Sequence, residues 1–136
     1  MTHRRFGPFL LFLALASCGG EATERPAAEM KLEAMTMLPA VRATLDSIAR
    51  DPSMMGNAGS RYQAEAERVV EAIRADMTRL GMHSDPAYEA LSDSVVRGSA
   101  ALSTAAGAEL ESLVARHVDQ MRRLSAVYET KVEAMK

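Results

Sequence analysis

The sequence predicts an all-α fold, an antiparallel up-down four-helix bundle. Along four separate stretches, apolar residues recur at steps of three and four, which places them on one face of a helix. Proline, glycine and short polar segments separate these stretches, and short connections favour antiparallel neighbours in a bundle. No stretch of useful length alternates between apolar and polar residues, so no sheet is expected.

The first predicted helix covers residues 29–50. Its apolar face follows a 3-4-3 spacing and consists of Leu38, Val41, Leu45 and Ile48. Pro39 interrupts this pattern, because an interior proline removes one hydrogen bond and crowds the carbonyl four residues back. Either the helix kinks at Pro39 or it begins there, and a single kinked helix is favoured.

The second predicted helix covers residues 61–80, after a turn-rich loop at 51–59. Ser60 and Gln63 have the spacing of a capping box, which marks a helix start. The predicted buried stripe consists of Tyr62, Ala66, Val69, Ile73, Met77 and Leu80. Gly81 follows as a left-handed terminator.

The third predicted helix begins with Asp85 as its cap and Pro86 at the first helical position. Its stripe consists of Tyr88, Leu91, Val95, Gly98, Leu102 and Ala105. The spacing then breaks, since the next apolar residue on the pattern is Leu110, and a turn is predicted at Ala106-Gly107. The alternative is one helix from Pro86 to Met135, which would give a three-helix bundle with a long C-terminal helix.

The fourth predicted helix covers residues 108–135 and has the most regular pattern. Its stripe consists of Leu110, Val114, His117, Met121, Leu124, Tyr128, Val132 and Met135. The tyrosines fall near predicted helix ends, so each is expected to close one end of the core with its hydroxyl in water.

The N-terminal residues have the three parts of a secretory signal. His3, Arg4 and Arg5 form a positive start, and an apolar stretch follows over 6–16. This stretch is about half the ~20 residues that a membrane-spanning helix needs. Residues 1–17 are therefore predicted to be a cleaved signal peptide.

The four residues Leu15-Ala16-Ser17-Cys18 resemble the lipobox of bacterial lipoproteins. The resemblance covers only about the first 20 residues. It implies that a diacylglycerol is joined to the sulfur of Cys18, that a signal peptidase cuts before this residue, and that the new amine is usually acylated. Cysteine suits this chemistry because its thiolate is a good nucleophile. The alternative is an ordinary secreted protein with a free thiol.

The resemblance also implies a location and a division of the chain. Gly19 is not the aspartate that retains such lipoproteins at the inner membrane, so the outer membrane is expected if the cell has one. Residues 18–28, with their small and polar composition, are predicted to be the lipidated cysteine and a flexible tether. Residues 29–136 are predicted to be the bundle domain.

The composition of the mature chain limits its function. Without residues 1–17 it has 119 residues, enough for one domain, and its net charge falls from −2 to −4 because Arg4 and Arg5 are lost. A mildly acidic protein gives no reason to expect nucleic acid as a partner. With Cys18 lipidated no cysteine remains, which excludes disulfides and thiol catalysis.

Catalytic motifs are absent from the sequence. It contains no G-x-S-x-G, no H-E-x-x-H, no P-loop and no Rossmann glycine pattern. Nothing pairs a serine with a base and an orienting acid, so no enzyme and no cofactor are expected.

His117 is the one polar residue on the most regular stripe, and Met121 follows one turn later. With Met77 and Met35 placed near the same level, these residues would make a soft site suited to copper. The favoured interpretation is different: His117 is a hydrogen-bonded core residue, and methionine is flexible core filler in a chain whose mature part has no Phe or Trp.

Two functions are therefore expected from the sequence. The first is a lipid-anchored, non-enzymatic interaction or structural module of the cell envelope, a monomer whose partner would be another envelope component. The second is a periplasmic bundle that binds or senses copper.

Overall fold

A computed structural model describes residues 31–82 and 85–136. This part of the chain forms four α-helices and a short 3₁₀ turn, Pro52–Met54, with no strand. The helices are α1 (Glu33–Arg50), α2 (Met55–Arg79), α3 (Pro86–Leu102) and α4 (Gly107–Glu133). The predicted signal peptide, Cys18 and the tether lie outside the described residues.

The four helices form one bundle, as predicted. Each helix packs against the next one in the chain, and α1 also packs against α4, which closes the ring. The core consists mainly of aliphatic residues, and its largest fully buried side chains are Tyr62 and Tyr128. No helix in the described ranges combines the length and the apolar character that crossing a bilayer requires.

Helix α1 begins at Glu33 and not at residue 29 as predicted, since Leu32 before it has an extended backbone. The helix continues through Pro39, which confirms one helix rather than a start at that residue. Both Pro39 and Met35, four residues earlier, are exposed. The carbonyl that loses its partner at the proline therefore lies on the solvent side, where water can satisfy it. The predicted face is buried as expected.

The predicted loop at 51–59 is wrong. The side chain of Asp51 accepts a hydrogen bond from the backbone N–H of Ser53, the 3₁₀ turn follows, and α2 begins at Met55. Met55 and Gly59 are buried in the bundle. Burial of this first turn outweighs the turn preferences of the local sequence, and the capping box predicted at Ser60 does not form because Ser60 lies inside α2.

The end of α2 and the start of α3 follow the predicted chemistry. Gly81 has φ +69°, the left-handed conformation expected of a helix terminator. The Asp85 carboxylate accepts from the backbone N–H of Ala87 at 2.9 Å, with Pro86 at the first helical position.

Helix α3 ends at Leu102 and α4 begins at Gly107, so the single long C-terminal helix is excluded. The connection lies at 103–106 and so begins before the predicted turn at Ala106-Gly107, and Gly107 is already the first residue of α4.

Candidate functional site

A histidine–tyrosine pair joins α2 and α4 inside the bundle. His117 is 1% exposed, and its Nε2 lies 2.6 Å from the hydroxyl oxygen of Tyr62. The two rings meet edge to face, with centroids 5.5 Å apart at an interplanar angle of 88°. This arrangement confirms the expectation that His117 is a hydrogen-bonded core residue.

The close packing of His117 depends on a glycine in α3. A Cβ on Gly98 would lie 2.6 Å from His117 Nδ1 and 3.2 Å from the Oε1 of Gln120. No side chain fits there unless the imidazole moves, so glycine lets the ring lie directly against the α3 backbone. The sequence placed Gly98 and His117 on the faces of their helices but gave no sign that they meet.

Burial holds both members of the pair neutral. It lowers the pKa of His117 to about 4 and raises the pKa of Tyr62 well above its usual value, an effect that the nearby charge of Glu65 reinforces. The imidazole is therefore uncharged at neutral pH, with one ring nitrogen protonated and the other free to accept.

The hydrogen bond between the rings favours one tautomer of His117. If the Tyr62 hydroxyl donates to Nε2, the ring proton is on Nδ1, which has no hydrogen-bond partner in the described structure. If Nε2 donates instead, the Tyr62 O–H loses its acceptor and Nδ1 remains unpaired. The first arrangement leaves fewer buried polar groups unsatisfied, so the proton belongs on Nδ1.

A groove of about 250 Å³ lies between α3 and α4 beside this ring. We call it the Gly98 groove. It is lined by Ser94, Arg97, Gly98, Ala101, Leu113, Arg116, His117 and Gln120. Both of its arginines are exposed, whereas His117 is buried at its floor.

A second buried polar cluster surrounds Asp76 of α2, which is fully buried. Its carboxylate accepts from the backbone N–H groups of Glu33 and Ala34 at 3.2 and 2.9 Å. It also accepts from the Tyr128 hydroxyl and from Arg79, both at 2.7 Å. One side chain of α2 thus contacts the start of α1 and a residue near the end of α4.

Asp76 acts as the N-cap that α1 does not supply for itself. The residue before α1, Leu32, has no side chain able to bond the free N–H groups of the first turn. The Asp76 carboxylate bonds two of them, and its negative charge lies at the positive end of the helix dipole. This role was not predicted from the sequence. The available signal was that Asp76 lies between Ile73 and Met77, two residues of the predicted buried stripe, where a carboxylate needs partners.

The predicted metal-site residues are not gathered in one place. Met121 is buried one turn after His117 on α4, about 6 Å along the axis. Met77 is also buried, but it lies 15 residues after Tyr62, which is about 22 Å along α2. Because Tyr62 contacts the His117 ring, Met77 is far from that ring. Met35 is 39% exposed and follows Ala34, whose N–H bonds Asp76. Of the three predicted methionines, only Met121 thus lies within one helical turn of His117.

The tyrosine hydroxyls are buried, contrary to the expectation that they face water. Those of Tyr62 and Tyr128 bond His117 and Asp76. The hydroxyl of Tyr88 is buried without a hydrogen-bond partner among the described residues. Helix periodicity placed these residues on inner faces correctly, but it carries no information about polar atoms on neighbouring helices.

Within residues 31–82 and 85–136, no group of three or more His, Cys, Asp or Glu side chains is arranged to hold a metal ion. Comparisons with protein-family models, curated proteins and solved structures gave no match for this chain.

Proposed function

We propose that this chain is a bacterial envelope lipoprotein, anchored through Cys18, whose helical bundle has a non-enzymatic interaction or structural role. The observation that carries the proposal is the sequence Leu15-Ala16-Ser17-Cys18 at the end of a short apolar stretch. Two or more acyl chains at this position would hold the protein firmly, at about 0.8 kcal/mol for each buried CH₂.

The bundle is compatible with this role. Its first helix begins at Glu33, so about 14 residues separate it from the proposed lipid and would keep it close to the headgroups. Its two buried polar clusters join helices to one another, because Tyr62 of α2 bonds His117 of α4 and Asp76 of α2 bonds Tyr128 of α4. The domain therefore suits presentation of a helical surface to another envelope component, as a monomer on the periplasmic face of the outer membrane in a Gram-negative cell.

Cell fractionation tests the anchor. In the full chain, Cys18→Ser removes the only thiol, and the product is expected to leave the membrane fraction. Gly19→Ala, a matched control beside it, is expected to remain with the membrane. Membrane association of Cys18→Ser equal to that of the unaltered chain would contradict the proposal.

A second candidate function is binding of copper in the periplasm, favoured by one observation. His117 has a ring nitrogen without a hydrogen-bond partner among the described residues, and Met121 lies one turn away on the same buried face. Copper would require the lone pair of Nδ1, so its binding would have to move the ring proton to Nε2, against the tautomer that the Tyr62 bond favours. Titration with Cu(I) against a competing chelator tests this function: retained metal that is lost in both His117→Ala and Met121→Leu supports it, and no retained metal excludes it.

A further inference from the structure

We propose that the Gly98 groove binds a small oxyanion, the phosphate or carboxylate group of a solute. In this site the Nδ1–H of His117 donates from the floor, and the guanidinium groups of Arg97 and Arg116 attract the anion at the rim. The inference does not depend on the lipid anchor, because every residue that lines the groove belongs to α3 or α4 and Tyr62, which bonds His117, belongs to α2.

The donor at the floor is the main reason for choosing an anion. His117 is almost fully buried, and its Nδ1, unlike its Nε2, has no hydrogen-bond partner in the part of the chain that the structure describes. The Tyr62 bond places the proton on this nitrogen, which makes it a donor rather than a metal ligand. A buried donor without an acceptor is costly, and an oxyanion oxygen beside the ring edge would satisfy it.

Gly98 determines how close a ligand can come to this donor. Since residue 98 has no side chain, no methyl group occupies the position 2.6 Å from Nδ1. The Oε1 of Gln120 lies 3.2 Å from the same position, and Nδ1 itself has almost no accessible surface, so a ligand reaches this nitrogen when Gln120 turns aside. Its amide can present either oxygen or nitrogen by rotation, so it can add a second donor towards an anion.

The rim of the groove has positive charge and no negative charge. Arg97 and Arg116 are both exposed, and no carboxylate lines the groove in the described structure. The one hydrogen bond of Arg97 is a long contact of 3.4 Å to the hydroxyl of Ser94. Guanidinium groups match the paired oxygens of phosphate and carboxylate. Neither Arg97 nor Arg116 forms an ion pair with a carboxylate of the described residues, so both are available to an anion.

The volume of the groove limits the size of the ligand. At about 250 Å³ it is smaller than the ~300–1,000 Å³ typical of sites for drug-sized molecules. A single oxyanion with little attached to it therefore fits better than a nucleotide or a peptide.

Calorimetry on the full chain in a phosphate-free sugar detergent tests this proposal, with inorganic phosphate and succinate as separate probes at constant ionic strength. At least one probe is expected to bind, and the one that binds identifies the preferred oxyanion. Arg97→Gln and Arg116→Gln are each expected to weaken binding by about tenfold. Arg50→Gln is the matched control, because Arg50 is an exposed residue of α1 that bonds only its own helix. Failure of both probes to bind, or equal weakening in the control, would overturn the proposal.

The imidazole gives a second, independent measurement. With ¹⁵N-labelled protein, the ring nitrogens of His117 are expected to show a proton on Nδ1, and the Nδ1 resonance is expected to move as the probe is added. Tyr62→Phe should remove the tautomer preference while the arginines remain. A proton on Nε2 in the unaltered chain, or ring resonances unmoved by a probe that binds, would also overturn the proposed site.

Discussion

The hydroxyl of Tyr62 satisfies the buried His117, whereas the buried hydroxyl of Tyr88 has no hydrogen-bond partner within residues 31–82 and 85–136. Tyr62→Phe should therefore lower the free energy of unfolding by about 1–3 kcal/mol, the usual cost of leaving a buried polar group unpaired. Tyr88→Phe makes the same chemical change and should be neutral or slightly stabilising. Urea denaturation of both variants measures the difference, and equal losses in the two would show that the His117 bond contributes nothing specific.

Burial of His117 also predicts how stability depends on pH. Its pKa is lowered from 6.5 to about 4 in the folded chain, so the unfolded chain takes up this proton first as the pH falls. The stability gained by keeping His117 neutral is therefore fully present above pH 6.5, and it is lost progressively as the pH falls from 6.5 to 4.

From pH 7 to pH 5, His117 should lower the free energy of unfolding by about 2 kcal/mol. The measurement is urea denaturation at both pH values, compared with His117→Gln. In His117→Gln the free energy of unfolding should fall by about 2 kcal/mol less between these pH values, because only the titration of His117 has been removed. A ring pKa near 6.5 in an NMR titration of the folded protein would contradict the prediction without relying on the variant.

Asp76 and Asp93 allow a buried and an exposed carboxylate on the same bundle to be compared. Asp76→Asn weakens bonds to the start of α1, to Tyr128 and to Arg79, and should lower the free energy of unfolding by about 2–4 kcal/mol. Asp93→Asn breaks an exposed pair with Arg74 and should cost less than about 1 kcal/mol. Thermal denaturation of the two variants tests the role of Asp76. Similar losses of stability in Asp76→Asn and Asp93→Asn would refute it.

At the scale of the helix, two glycines test where α2 begins. Gly56 is helical, and an added Cβ would meet nothing within 4 Å, so Gly56→Ala should stabilise the protein by about 0.5 kcal/mol. At Gly59 the added Cβ would lie 3.1 Å from the Cα of Ser103, so Gly59→Ala should lose this gain or destabilise. Urea denaturation decides between these outcomes. No gain at Gly56 would favour the loop that the local sequence suggested.

The helices themselves were predictable because each has one apolar face. Most of each stripe, the stop at Gly81 and the cap at Asp85 follow from local chemistry and are present. The predicted stripe positions of Ala105 and Met135 are wrong, because both residues lie beyond the ends of their helices, and Met135 is 36% exposed. The first turn of α2 was missed because it is stabilised by burial of Met55, which depends on other helices. For the same reason, His117 was recognised on its face while its partners Tyr62 and Gly98 were not.

At the scale of the whole molecule, α2 is the helix to which α1 and α4 are joined by buried polar contacts. Asp76 bonds the start of α1 and Tyr128 of α4, while Tyr62 bonds His117 about 21 Å further along the axis. These contacts hold the bundle together at two levels and leave the outer helix surfaces to face solvent. A bundle fixed in this way is suited to a binding role on a membrane surface, where the proposed lipid would keep it.

Intact-mass spectrometry of the protein purified from its native membrane tests the proposed anchor most directly. The account predicts a chain that begins at Cys18, lacks residues 1–17, and carries the added mass of a diacylglycerol and an N-linked acyl chain. A full-length chain that retains residues 1–17, or a processed chain with an unmodified Cys18 thiol, would contradict it.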